Sequence, residues 1–146
     1  MENQVEVLLI EDNPDDAMLA MKALKTYMKN EIVWLKDGEE ASNFLFGKAE
    51  YSNRDTNIKP KVILLDLKMP KVDGLELLER IRSNDLTRSI PVVIMTSSKE
   101  DRDLEKAYSL GANSYVVKPI DFDQFSKAAQ QISMYWLLVN EIPDQK

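Results

Sequence analysis

Residues 62–74 read VILLDLKMPKVDG. The four apolar residues Val62, Ile63, Leu64 and Leu65 do not alternate with polar ones. A continuous run of this kind suits a strand covered on both faces, as in a parallel sheet flanked by helices. Asp66 closes the run, and Asp73 with Glu76 three residues later has the spacing of a helix N-cap and its reciprocal partner. Strand, acidic residue, short loop and helix therefore follow one another within a few residues. Working outward, the same grammar recurs. The run 5–10 ends in Glu11 and Asp12, the run 92–95 in Thr96 and Ser97, and the run 115–117 in Lys118 and Pro119. A fifth, shorter candidate at 32–35 belongs near a sheet edge.

Helices lie between these runs. Asn13 before Pro14 is an N-cap with proline at the first helical position. Asp37 with Glu40 and Asp121 with Gln124 repeat the cap spacing, and Ser98 with Asp101 offers a weaker version. Apolar spacing supports the helices through Leu75, Leu78 and Ile81, through Leu104, Ala107 and Tyr108, and through Phe122, Phe125, Ala129, Ile132 and Trp136. Strand–helix–strand units in one sheet demand right-handed crossovers, which gives a three-layer α/β sandwich. Five such units predict a flavodoxin-like (βα)5 fold with parallel sheet order 2-1-3-4-5 and a ligand site beyond the carboxyl ends of the strands. Residues 47–60 fit no period and read as a surface loop. The 146 residues carry no repeat or composition shift, so the chain reads as a single domain over 1–146, with a core over about 4–138 and a short tail at 140–146.

Composition narrows the chemistry. With neither cysteine nor histidine, thiolate or imidazole metal sites, cysteine nucleophiles and His-based triads are excluded. A formal charge of -6 disfavours broad contact with nucleic acid. No run of 18 apolar residues and no basic leader appear, so the expected place is the cytoplasm, away from the membrane.

The strand ends hold what remains. In the order 2-1-3-4-5, strands one, three, four and five are successive neighbours, and their carboxyl ends all point one way. Glu11, Asp12, Asp66, Thr96 and Lys118 then converge. Each has an ordinary explanation alone, as a turn former, a helix cap or a loop residue; the set does not. Three close carboxylates repel one another, and a hard divalent cation relieves that repulsion. Mg2+ fits best, on Glu11, Asp12 and Asp66 with a backbone carbonyl near Lys68, because it accepts few carboxylates and leaves positions for water and phosphate. Calcium lacks its loop spacing here. Lys118 and Thr96 make sense if a phosphoryl group arrives, with Asp66 as its nucleophile.

At this point the sequence resembles the receiver domains of bacterial two-component response regulators. The segments LLIEDNPDD (8–16), VILLDLKMPKVDG (62–74), IPVVIMTSS (90–98) and GANSYVVKP (111–119) carry the resemblance in order and spacing. It implies that Asp66 accepts a phosphoryl group from the phosphohistidine of a sensor histidine kinase. Glu11, Asp12, Asp66 and the Lys68 carbonyl would hold Mg2+, Lys118 would pair with the phosphoryl oxygens, and Thr96 would move to bond one of them. Tyr115 fits the switch aromatic that turns inward, although its surroundings in the sequence by themselves favour a plain sheet residue. Gly74 follows the turn after Asp66, and the Lys118–Pro119 bond is commonly cis in this family. Lys68, two after Asp66, occupies a position that influences phosphoryl lifetime. Such a protein is a phosphoacceptor switch that assists its own phosphorylation and dephosphorylation rather than an enzyme.

A narrower resemblance, to stand-alone regulators paired with bacterial phytochromes, rests on the loop after FLFG (44–47), the TSS at 96–98 and the aromatic last helix. With only 140–146 following Val139, output is expected through protein–protein contact. The stretch ISMYWLLV (132–139) is apolar nearly all round. It suits either a homodimer through Tyr135, Leu138 or Val139, or packing against the chain's own long loop. Two enzyme-like or carrier readings are weaker: a haloacid-dehalogenase-type phosphatase expects Asp where Lys68 stands, and a flavin carrier would not place EDNPDD (11–16) against a phosphate. A receiver-like binding module without phosphorylation is the remaining alternative.

Overall fold

Side chains on a strand alternate between its two faces, so a run apolar at every position needs cover on both. The computed structural model of the chain describes residues 7–27, 31–118, 121–132 and 134–136, and it provides that cover. Five strands, β1 (Val7–Ile10), β2 (Ile32–Leu35), β3 (Val62–Leu65), β4 (Val92–Thr96) and β5 (Ser114–Val117), form one parallel sheet in the order β2-β1-β3-β4-β5. The expected topology is the observed one. Residues 5 and 6 of the first run lie outside the described residues.

Odd and even positions separate cleanly. Leu8, Ile10, Ile63, Leu65, Val92 and Ile94 face α2 (Gly38–Phe46), α3 (Gly74–Ser83) and α4 (Asp101–Ser109), where Phe44, Leu77, Leu78, Ile81 and Ala107 complete one apolar layer. Val7, Leu9, Val62, Leu64, Val93 and Met95 face α1 (Pro14–Tyr27) and α5 (Phe122–Ile132), meeting Ala17, Ala20, Leu24, Phe125 and Ala129. The alanines let α1 lie close to the sheet. Both layers are buried, and burial of each large apolar side chain stabilises by about 1.5–3 kcal/mol before entropy is counted.

The caps form largely as spaced. Asn13 Oδ1 accepts from the amides of Asp15 and Asp16 at 2.9 and 3.1 Å. Asp37, Asp73 and Asp121 accept from Glu40, Glu76 and Gln124 at 2.8, 2.9 and 2.8 Å. Ser98 is the exception. Glu100, which precedes α4 as its N-cap, makes no side-chain cap bond; Ser98 Oγ accepts from the Glu100 amide at 3.3 Å and donates to Asp103 Oδ2 at 2.6 Å.

Segment 47–60 runs as turns and loop with fixed contacts of its own. It contains a 3-10 turn, Ala49–Tyr51, and Arg54 fastens it by bonds to the carbonyls of Phe44 (2.9 Å) and Ile58 (2.7 Å), with its guanidinium 4.0 Å above the Phe44 ring. Strand β5, at the sheet edge, is only partly covered: Tyr115 packs on one layer and Val116 on the other, both half-buried, and Val117 is exposed. Beyond α5 the chain passes into a wider π turn at 134–136, where Met134 and Tyr135 are exposed and the Trp136 ring stacks edge-on to Tyr135. Leu138 and Val139 lie outside the described residues.

Candidate functional site

Main-chain bonds continue past the strands and fix the loop residues side by side. The amide of Glu11 donates to the Leu35 carbonyl, that of Asp66 to Ile10, and that of Lys118 to Thr96, at 3.1, 3.1 and 2.8 Å. Side chains from three strand ends are thereby aimed into one place. Carboxylate oxygens of Glu11, Asp12 and Asp66 lie within 4.8 Å of one another. Lys118 Nζ stands among the acids, 2.6 Å from Glu11 Oε1, 2.9 Å from Asp16 Oδ2 and 3.4 Å from Asp66 Oδ2.

The environment is partly closed. Glu11 and Asp66 are buried while Asp12 is exposed, so the cluster has a dry floor and a wet rim. Burial pushes the Glu11 carboxyl up to about 7, against the bond from Lys118 and with the charge of Asp66. Burial also works against the Lys118 charge, but bonds to Glu11 and Asp16 and the charges of Asp66 and Glu11 outweigh it and hold the ammonium above its ordinary range. Beside the cluster lies an open depression of about 380 Å³ lined by Asp12, Lys68, Met69, Asp73 and Asp103 among others.

Gly74 explains how the loop after β3 stays so tight. A Cβ at this position would lie 2.3 Å from the Asp66 carbonyl oxygen, and the Gly74 amide donates to the Leu67 carbonyl at 2.9 Å. The Lys68 amide points toward Asp66 Oδ1 at 3.4 Å, which places the Lys68 backbone next to the cluster. Thr96 is fully buried at the end of β4, with the Ser98 amide 3.4 Å from its Oγ1. Tyr115 is half-buried against the α3–α4 layer and donates from its hydroxyl to the Ser98 carbonyl at 3.2 Å. Burial raises the Tyr115 pKa, so the phenol keeps its donor proton. Pro119 lies outside the described residues, and with it the expected cis bond.

Of the residues singled out in the sequence, Glu11, Asp12, Asp66 and Lys118 come together with the Lys68 backbone beside them, while Thr96 and Tyr115 are tied to Ser98; two residues that were passed over join the set. Asp16 reads in the sequence as one more acid in a helix's first turn. A helical side chain leans toward the N-terminus of its helix, so an acid there points at the strand ends, which is the signal that could have found it. Asp103 is buried on α4, accepts from Ser98 Oγ and lies 3.3 Å from Lys68 Nζ. The Ser98 bond draws its pKa below the usual carboxylate value, with Lys68 adding to the effect. No sequence spacing announces that contact, because Lys68, Ser98 and Asp103 come from three different segments.

An acidic triad with a lysine at the carboxyl edge of a 2-1-3-4-5 sheet can be compared with known proteins. The profile of the family described as "Response regulator receiver domain" matches residues 7–130. The chain belongs to this family. Among characterised relatives, the receiver is 41% identical over 138 residues to the probable methanogenesis regulatory protein FilR2 of Methanothrix harundinacea, covering 94% of this chain and 86% of that protein. It is 37% identical to response regulator Rcp1 of Synechocystis sp., covering 94% of this chain and 92% of Rcp1. The Mn2+-bound structure of Rcp1 superposes with a TM-score of 0.87 at 36% identity, over 96% of this chain and 99% of that one. The phosphorylated cyanobacterial phytochrome response regulator RcpA gives a TM-score of 0.88 at 33% identity, over 97% and 100% of the two chains. Divalent-cation binding by a receiver therefore has a structural precedent, and this receiver's donor set is the hard-oxygen set such a cation prefers.

Proposed function

We propose that this receiver is a stand-alone, phosphorylation-controlled switch whose phosphoacceptor is Asp66. The observation that carries the reading is the cluster itself: three carboxylates within 4.8 Å and an ammonium bonded to two of them, at the open end of the sheet. Glu11, Asp12, Asp66 and the Lys68 carbonyl would hold Mg2+, which when bound neutralises the acids and the charge of an incoming phosphoryl group. An Asp66 oxygen attacks phosphorus, the phosphorus–nitrogen bond of a kinase phosphohistidine breaks, and the imidazole leaves with its electron pair. Lys118 donates to the new phosphoryl oxygens and Thr96 moves to bond another, with Tyr115 following. By holding these groups in place the receiver assists both its own phosphorylation and the later hydrolysis.

A sensor histidine kinase is the partner this chemistry needs. A kinase of the phytochrome class is supported by the likeness to RcpA, and a stand-alone design by the near-complete coverage of Rcp1 and RcpA. Output passes through protein contacts on α4, β5 and α5, whose balance between two packings the phosphoryl group shifts. Exposed Tyr135 beside Trp136 supports a homodimer through the C-terminal helix. The net charge of -6 supports protein rather than nucleic-acid partners, and no helix among the described residues is long and apolar enough to cross a membrane, in keeping with a cytoplasmic site of action.

The test is incubation with acetyl phosphate plus Mg2+, or with beryllofluoride plus Mg2+, comparing wild type with Asp66→Ala. The expected result is Mg2+-dependent gain of one phosphoryl group from acetyl phosphate, or of one bound beryllofluoride, in wild type and neither in the variant. Equal modification of both proteins, or none in wild type, would sink the assignment.

A further inference from the structure

Lys118 has three N–H donors and three carboxylate partners, so every donor is engaged. The three partners are not equivalent. Glu11 and Asp66 side chains are 5% and 9% exposed, whereas Asp16 is 39% exposed. The distances are also unequal, 2.9 Å to Asp16 against 3.4 Å to Asp66. The ammonium therefore rests nearer the α1 acid than the β3 acid on which the phosphoryl chemistry is placed. Asp16 lies outside the trio of acids grouped within 4.8 Å, so it remains an acceptor for Lys118 when a cation occupies that trio.

A phosphoryl oxygen arriving at Asp66 draws the ammonium toward β3, where its longest bond already points, and stretches its bonds to Glu11 and Asp16. Stretching the bond to Glu11 weakens a contact with a buried carboxylate, which is costly. Stretching the bond to Asp16 exposes an acid that water can reach, which is cheap. The alternative explanation of Asp16, a favourable charge at the positive end of α1, does not require this contact, since Asp15 in the same turn meets that need.

We infer that Asp16 is a positioning residue that holds the Lys118 ammonium toward α1 and competes for it with the phosphoryl group on Asp66. This rests on the phosphoacceptor reading above. Asp16 thereby sets how firmly the phosphorylated state is held, through a lysine it does not share in sequence.

The experiment measures beryllofluoride affinity at saturating Mg2+, and Mg2+ affinity alone by Trp34 fluorescence, in wild type, Asp16→Asn and Asp16→Glu. Trp34 reports on the site because its indole N–H donates to the Glu11 carbonyl at 2.8 Å. A half-exposed charged bond corresponds to roughly fivefold in affinity. Asp16→Asn is expected to bind beryllofluoride about that much more tightly while its Mg2+ affinity stays equal or weakens, and Asp16→Glu is expected to stay near wild type. Damage to the fold would weaken both ligands together. Unchanged or weaker beryllofluoride binding in Asp16→Asn, or an Asp16→Glu protein that behaves like Asp16→Asn, overturns the inference. Failure of wild type to bind beryllofluoride with Mg2+ overturns instead the phosphoacceptor reading beneath it.

Discussion

Replacing Glu11 by Gln should stabilise the metal-free receiver at alkaline pH and leave it unchanged in acid. Burial pushes the Glu11 carboxyl from 4.5 up to about 7. A carboxyl that binds its proton more tightly when folded contributes most below its unfolded pKa, and that contribution is lost as pH rises through the folded one. From 4.5 to about 7 at roughly 1.4 kcal/mol per pH unit, the loss is about 3 kcal/mol, complete by about pH 8. Little discount for solvent applies, since the Glu11 side chain is 5% exposed. The chain has no histidine, so few other groups titrate in this window beyond the terminal amine.

The assay is urea unfolding of chelator-treated protein at pH 5 and pH 8. Wild type should be weaker at pH 8 by a large part of that amount, and Asp66, which adds to the repulsion, should make the slope steeper than burial alone. Glu11→Gln removes the charge, keeps the shape and should be nearly flat across the window. Adding Mg2+ should restore wild type more at pH 8 than at pH 5, because the cation binds the deprotonated acids and only in the folded state. A Glu11→Gln protein that loses stability between pH 5 and 8 as steeply as wild type would refute the reasoning, as would wild type gaining stability there.

Gly74→Ala should cost about 3 kcal/mol of stability, because its Cβ meets the Asp66 carbonyl oxygen at 2.3 Å and backbone must move; thermal unfolding measures it, and acetyl phosphate uptake should fall further than stability does. Asp103→Asn should cost about 1–2 kcal/mol near neutrality by weakening the bonds to Ser98 and Lys68. Because the Asp103 pKa is lowered on folding, its contribution is present above 3.8 and vanishes as pH falls below, so the acid limb of a stability profile should be shallower in the variant.

The layers were legible in the sequence because unbroken apolar runs leave only one economical solution, and because β3 begins and ends where its apolar residues do, with β4 running only one residue further, to Thr96. The site was legible for a related reason. Glu11, Asp66, Thr96 and Lys118 are polar residues at the ends of strands whose order topology fixes. What escaped depends on side-chain direction and on contacts between segments. Ser98 has the spacing of a cap for Asp101, yet its hydroxyl goes to Asp103, five residues on, at 2.6 Å, a local pairing outside the usual cap spacing. Arg54 turns 47–60 from open loop into a fixed surface by stacking on Phe44, a cation–π contact with no periodic signature. Strand β5 reads SYVV, less apolar than the central strands, in keeping with the edge position that the order 2-1-3-4-5 assigns to it.

The two ends of the sheet show why the acidic end asks for a ligand and the other does not. At the amino ends of β4 and β5, Arg82 donates to the carbonyls of Gly111 (2.9 Å), Arg88 (3.1 Å) and Ile90 (2.7 Å) and to Asn113 Oδ1 (2.7 Å). Its donors are spent on neutral backbone and amide groups, so it ties α3 to the loops before β4 and β5 and leaves no charge demanding an anion. At the carboxyl ends, Glu11, Asp16 and Asp66 face Lys118 with Asp12 beside the two buried acids, while the ammonium of Lys68 is turned to Asp103. Stability alone gives no reason to bury Glu11, Asp66 and Lys118 together, since apolar residues of similar volume commonly serve as well or better. The deficit of positive charge is therefore concentrated where main-chain bonds hold the acids in place, and a divalent cation is the ligand that such a hard-oxygen arrangement suits.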